Sequence, residues 1–208
     1  MRGLAVLLVV LAGCSTPPKY YSTVNTQPLR LAAGELEAGG IAFITPSTVT
    51  GQEQERQAVA LGYSDVLKRE RPALKVVTLA ETLSAVNKAG LVPAYRRMYE
   101  DYRETALLPA DVLRGVSAAT GARYVAQLKL QNYSQDSKGR FGLLGLRISE
   151  TLYGDLRVFL QIWDARDGSI AWEATQELRI AMDSTSNEPV TLRELIERSA
   201  KDLVTRLP

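Results

Sequence analysis

The chain has 208 residues, enough for one ordinary domain, and 46% of them are hydrophobic, which supplies a sizeable core. Its 25 basic and 23 acidic residues leave a formal net charge of +2, no footing for the concentrated basic face that nucleic acid demands. Zero histidines remove imidazole bases, Ser-His-Asp triads and histidine-containing metal sites, and a single cysteine leaves no intrachain disulfide.

The chain opens with Arg2, a short apolar run over 4–11, and then Leu11-Ala12-Gly13-Cys14. A charged start, a compact apolar stretch and small residues before a cut describe an export signal. The run is about half of the ~20 apolar residues that span a bilayer. Because it ends in the only cysteine, the motif resembles the lipobox of bacterial lipoproteins. That resemblance implies cleavage after residue 13, diacylglycerol on the Cys14 sulfur and further acyl chains such as palmitate. Several chains matter, because one alone anchors only marginally. With Cys14 committed to lipid, no thiol remains for catalysis. Ser15 stands where an aspartate favours inner-membrane retention in the best-known sorting system. In a Gram-negative cell this implies an outer-membrane anchor with the domain in the periplasm.

Residues 14–38 are rich in Ser, Thr, Pro, Asn and Gln, with Pro17, Pro18 and Pro28, and read as the lipidated cysteine followed by a flexible tether. Tyr20 and Tyr21 read as solvent-washed. A domain is expected over 39–208. Gly40-Ile41-Ala42-Phe43-Ile44-Thr45-Pro46 is a buried strand closed by proline. Residues 53–69 form a helix that buries Ala58, Leu61, Val66 and Leu67, ends in basic residues and is stopped by Pro72. A second strand covers 74–79, and a short helix over 81–89 is closed by Gly90. Over 93–107 Tyr95, Met98, Tyr99 and Tyr102 recur at helical spacing and pack on the domain, while Arg96–Glu100 and Arg97–Asp101 are i,i+4 pairs.

A helix opened by Pro109 and closed by Gly121 precedes an alternating strand, half buried, with Tyr124, Ala126, Leu128 and Leu130 on one face. A further alternating run carries Val158, Leu160 and Ile162 inward from Leu156. The turn Arg166-Asp167-Gly168-Ser169 then joins it to Ile170, Trp172, Ala174, Gln176 and Leu178 as an antiparallel hairpin. Turn chemistry accounts for Asp164 and Asp167, and cross-strand packing for Trp163 and Trp172. Residues 194–207 close the chain as an amphipathic helix. The fold class expected is α/β (α+β): one mixed sheet of about five strands packed by helices, with a C-terminal β-hairpin and closing helix.

Three stretches carry a second resemblance: Gly40-Ile41-Ala42-Phe43-Ile44, Ala118-Ala119-Thr120-Gly121-Ala122-Arg123-Tyr124-Val125, and the hairpin from Trp163 to Trp172. In these the chain resembles bacterial outer-membrane lipoproteins with a periplasmic domain like the TolB N-terminal domain, CsgG and LpoB. The resemblance implies scaffolding, activation or secretion without catalysis. In the secretion-pore members long membrane-inserting hairpins join the third and fourth strands. Here that connection is expected to be a loop over 136–149, too short for two strands of about 9–11 residues each.

That loop supplies the candidate contact residues. Phe141, Leu143, Leu144 and Leu146 stand among glycines, and an exposed apolar patch marks a partner or a membrane. The function expected is a lipid-anchored, non-catalytic interaction or scaffold protein in cell-envelope assembly or transport. It would contact the membrane through lipid on Cys14, together with envelope proteins and a possible second copy. No nucleic acid, small-molecule substrate, cofactor, catalytic residue or metal is called for. The alternatives are a subunit of a CsgG-like secretion or pore assembly and, more remotely, an envelope enzyme that works without histidine.

Overall fold

The expected alternation builds the centre of the molecule. A computed structural model describes residues 18–49, 53–143, 146–184 and 189–208. In chain order these form β1 (Lys19–Pro28), α1 (Glu35–Gly39), β2 (Ile41–Phe43), β3 (Ser47–Thr48), α2 (Glu53–Glu70), β4 (Val76–Val77) and α3 (Leu79–Lys88). There follow α4 (Val92–Thr105), α5 (Ala110–Thr120), β5 (Tyr124–Leu143), β6 (Leu146–Asp164), β7 (Ser169–Ser184) and α6 (Leu192–Val204). The described strands make one mixed sheet of seven in the order β1-β7-β6-β5-β2-β4, with β3 also on β5. β2 lies parallel to β4 and β5, and β3 parallel to β5, whereas the pairs β5–β6, β6–β7 and β7–β1 are antiparallel. The α/β class, the single mixed sheet, the C-terminal hairpin and the closing helix are as expected.

Each face of the sheet carries its own core. On one face α2 (Val59, Tyr63, Val66, Leu67) and α6 (Leu195, Ile196, Ala200, Leu203) pack on Leu128, Leu156, Val158, Leu160, Ile162 and Trp172. On the other, Val86 of α3, Tyr95, Met98 and Tyr102 of α4 and Leu113 and Val116 of α5 enclose Val125 and Trp163. Residues 125 and 127 are therefore buried as well as 124, 126 and 128, so the first half of β5 is covered on both faces rather than half buried. α2 and α6 approach closely because position 62 is glycine; a Cβ there would overlap the Ile196 side chain. Thr78 with Glu81, and Thr191 with Glu194, form capping boxes that fix the starts of α3 and α6.

Several expectations are corrected. Residues 19–28, expected within the tether, form β1 and pair with β7 from Lys19↔Ala181 to Pro28↔Trp172. An edge strand needs little apolar content, and only Val24 is even partly buried, so the composition resembles a linker. The sheet consequently has seven described strands rather than about five, while the strand expected over 74–79 shrinks to Val76–Val77. Leu61 is not part of the buried stripe of α2 but 59% exposed; Val59, Ala60 and Tyr63 turn inward instead. Trp163 and Trp172 do not pack together. A register shift after Ile162 pairs Ile162 with Trp172 and Trp163 with Ile170, which sends the two indoles to opposite faces. Nor is 136–149 a loop: the ladder between β5 and β6 continues from Asp136↔Tyr153 to Leu143↔Leu146.

Candidate functional site

The long pairing of β5 with β6 creates an arm. Helices α3, α4 and α5 cover only the end of the sheet that holds Val125 and Trp163, so farther along β6, β7 and β1 one face is uncovered. The opposite face of the same strands stays packed under α6, where Val190 and Leu195 would crowd any side chain at Gly154. Period-two alternation then sorts the residues. Leu152, Leu156, Leu178 and Ile180 point into the core, while Tyr153, Asp155, Arg157, Glu177 and Arg179 point to the open side.

That open face is a shallow concavity of about 830 Å³. Its floor is laced by cross-strand pairs: Arg179 Nε meets Asp155 Oδ1 at 2.6 Å, Arg157 meets Glu177, and Thr151 Oγ1 donates to Asp183 Oδ1 at 2.7 Å. β1 adds Lys19, Tyr21 and Thr23 along the rim, and Lys138 lies 5.8 Å from the Tyr153 ring centroid. Oppositely charged side chains placed across neighbouring strands hold one another, leaving a polar, nearly balanced surface.

β1 is pinned by a buried polar chain. The Tyr63 hydroxyl lies 2.6 Å from Ser199 Oγ, and Ser199 in turn donates to Gln176 Oε1 at 2.5 Å, so Tyr63 supplies the proton of the first bond. Gln176 Nε2 reaches Ser22 Oγ of β1 at 2.9 Å and Asp202 at 3.3 Å. Burial pushes the Tyr63 phenol well up, so it stays protonated as a donor. Arg198 of α6 stacks on the Tyr20 ring, 4.6 Å from its centroid, so Tyr20 packs against the domain instead of standing free.

At the opposite end of the sheet, Arg123 holds Asp164 through Nε at 3.1 Å and Nη2 at 2.6 Å, and reaches Glu35 at 3.3 Å. Burial works to raise Asp164, but Arg123 and the Arg166 backbone N–H outweigh it and hold the carboxyl below the usual range. Asp167 is lowered by hydrogen bonds from Ser169 and by Arg30. Both aspartates are therefore turn and corner residues, as their sequence context implies, and both are ionised at neutral pH. On the side of α4, burial and then the Glu173 charge push the Tyr102 phenol up to about 12. Among the described residues no cluster of His, Cys, Asp or Glu is arranged to hold a metal ion.

Cys14 and Leu144 lie outside the described residues. The backbone places Phe141 opposite Ser149 and Leu143 opposite Leu146 at the far end of the arm, so these three candidate residues share its tip. The ion-pair ladder was missed by sequence reasoning, although its signal was present: alternate residues of β6 from 153 to 157, and of β7 from 177 to 179, are polar or charged.

No family model and no curated protein matches the chain. Solved structures that are similar include the PelC dodecamer from Paraburkholderia phytofirmans, at 13% identity over 90% of this chain and 94% of that one, with a TM-score of 0.42. Lipoprotein GNA1162 from Neisseria meningitidis matches at 12% identity over 81% and 96%, with a TM-score of 0.40. The LpoB C-terminal domain from Escherichia coli matches at 16% identity over 67% and 82%, with a TM-score of 0.33.

Proposed function

We propose that the chain is a lipid-anchored, non-catalytic interaction protein of the cell envelope, held by lipid on Cys14 at the outer membrane with its domain in the periplasm. Residues 1–13 serve as its signal peptide. The observation that carries the reading is the arm: β6, β7 and β1 leave one polar face open while α6 packs the other, and the β5–β6 ladder runs on past them to Leu143↔Leu146. Phe141, Leu143 and Leu146 at the end of that ladder, and Leu144 by sequence, are the proposed contact residues. A chain without histidine, whose only cysteine sits in the lipobox-like motif, lacks the side chains of the commonest hydrolytic chemistries.

The length of the β5–β6 hairpin also favours a second reading, a subunit of an oligomeric secretion pore. Its two-stranded part beyond the last β7 pair, Glu150↔Ser184, is Arg140–Leu143 with Leu146–Ser149. At about 3.3 Å per residue that is roughly 13 Å, less than half of a hydrocarbon core of about 30 Å. Anchored interaction is therefore the better account.

The test is in-cell crosslinking of the tagged protein, with lipid labelling in parallel. Wild type should incorporate labelled acyl chains and crosslink to envelope components, and Cys14→Ser should lose the label while remaining folded. Label on Cys14→Ser, or a wild type that crosslinks to nothing in the envelope, overturns the proposal. Extraction in mild detergent as a closed ring would favour the pore subunit.

A further inference from the structure

We infer that the tip of the β5–β6 hairpin is a lipid-contacting site that dips into the same membrane leaflet that holds the Cys14 lipid. The inference rests on the lipidation proposed above and names the occupant of the tip. Strand register carries it. Lys19, the first residue of β1, pairs with Ala181 of β7; Ala181 pairs with Tyr153 of β6, and Tyr153 with Asp136 of β5. β1 is antiparallel to β7, so the chain enters β1 from the end of the sheet toward which the hairpin projects. Anchor and tip leave the domain on the same side.

Chain lengths set how far the tip reaches. From Tyr153 the hairpin runs on to Leu146, seven residues past the row of Lys19, or about 23 Å at the rise of a strand. Between Cys14 and Lys19 lie five Cα steps, which reach at most about 18 Å at full extension. A domain standing upright on its anchor therefore drives the tip about 5 Å beyond the farthest level Cys14 can occupy. Only if the strands lean over by more than roughly 40° does the tip stay at or above that level.

The sequence of the tip suits a shallow insertion. Phe141-Gly142-Leu143-Leu144-Gly145-Leu146 carries no charge, and Arg140 and Arg147 bracket it, with Lys138 behind. The first carboxylates met along either strand are Asp136 and Glu150. An apolar end with a cationic collar matches acyl chains below and anionic headgroups around, because long basic side chains keep their charge at the interface while their stems follow the apolar surface. Beyond Arg140 three residues of β5 are described and beyond Arg147 one of β6, so the described strand past the arginines is at most roughly 10 Å long, the depth of an interfacial element and not of a span.

The test uses the full chain, isolated from membranes and reconstituted in vesicles of phosphatidylethanolamine and phosphatidylglycerol. Leu143→Trp reports the tip. Arg166→Trp, in the turn at the opposite end of β6, reports the far side. Bromine on the acyl chains should quench the Leu143→Trp emission at least twofold more than that of Arg166→Trp, with the buried Trp163 and Trp172 as a common background. Replacing Arg140 and Arg147 by Gln should reduce the difference in phosphatidylglycerol vesicles. Equal quenching of the two reporters overturns the inference, as does a photocrosslinker at 143 that captures a protein and no lipid. Mass spectrometry of the same preparation separates the two claims. A chain without lipid on Cys14 whose tip is still quenched refutes the anchor alone.

Discussion

The two ends of the sheet solve opposite problems. Around Val125, Gln127 and Trp163 the strands are sealed on both faces, and consecutive residues of β5 are buried whatever their orientation. Along the arm the same strands are covered on one face only, so every second residue is released from packing and reads as charge or tyrosine. The closed end derives its stability from two apolar cores, the arm from one core plus cross-strand pairs. Substitutions should therefore be costly at the closed end and inexpensive on the open face.

The largest effect should come from Trp172→Ala, which empties a fully buried site and should cost about 3–5 kcal/mol in urea unfolding. A loss below about 1 kcal/mol would mean that this core is not the main support of the sheet. Tyr63→Phe removes the donor to Ser199 at the head of the buried chain leading to β1. It should cost about 1–2 kcal/mol and speed hydrogen exchange in β1 more than in β5. Uniform exchange would detach β1 from that network. The Arg123–Asp164 corner should show in the pH dependence. Its folded-state carboxyl lies below the unfolded value, so its contribution is complete above about pH 4 and disappears as the pH falls through the folded value. Asp164→Asn should flatten the loss of stability over that acidic window; an unchanged slope would assign the loss to other carboxylates. Smallest of all, Arg179→Ala on the open face should change stability by less than about 1 kcal/mol, because the pair with Asp155 is largely exposed. A larger loss would show that the ladder supports the arm and does not merely decorate it.

How far the sequence disclosed this arrangement depends on burial. Where strands and helices face a core, hydrophobic periodicity located them, as for Val158, Leu160 and Ile162 or the stripe of Tyr95, Met98 and Tyr102 on α4. Where one residue breaks the period, pattern reading failed: the shift after Ile162 separated two tryptophans that simple alternation had brought together. β1 was illegible for a different reason. Its pairing energy lies in backbone hydrogen bonds to β7, which leave little trace in side-chain composition. The apolar run over 141–146 was legible, but not the ladder on which it lies, because glycines 139, 142 and 145 read as loop signals.

The position of β1 also has a consequence in time. Its partner residues, 172–181, are made about 150 residues after Lys19, and at roughly 5–20 residues per second that is a delay on the order of ten seconds or more. Until β7 arrives, the segment next to Cys14 has no native strand to join and remains extended and accessible. Any enzyme that cuts or modifies the chain near Cys14 thus meets its target before the sheet edge closes over the neighbouring residues. Once β7 is in place, β1 zips onto it from Lys19 to Pro28. Order of synthesis, written into strand order, keeps the N-terminal segment available first and fastened last.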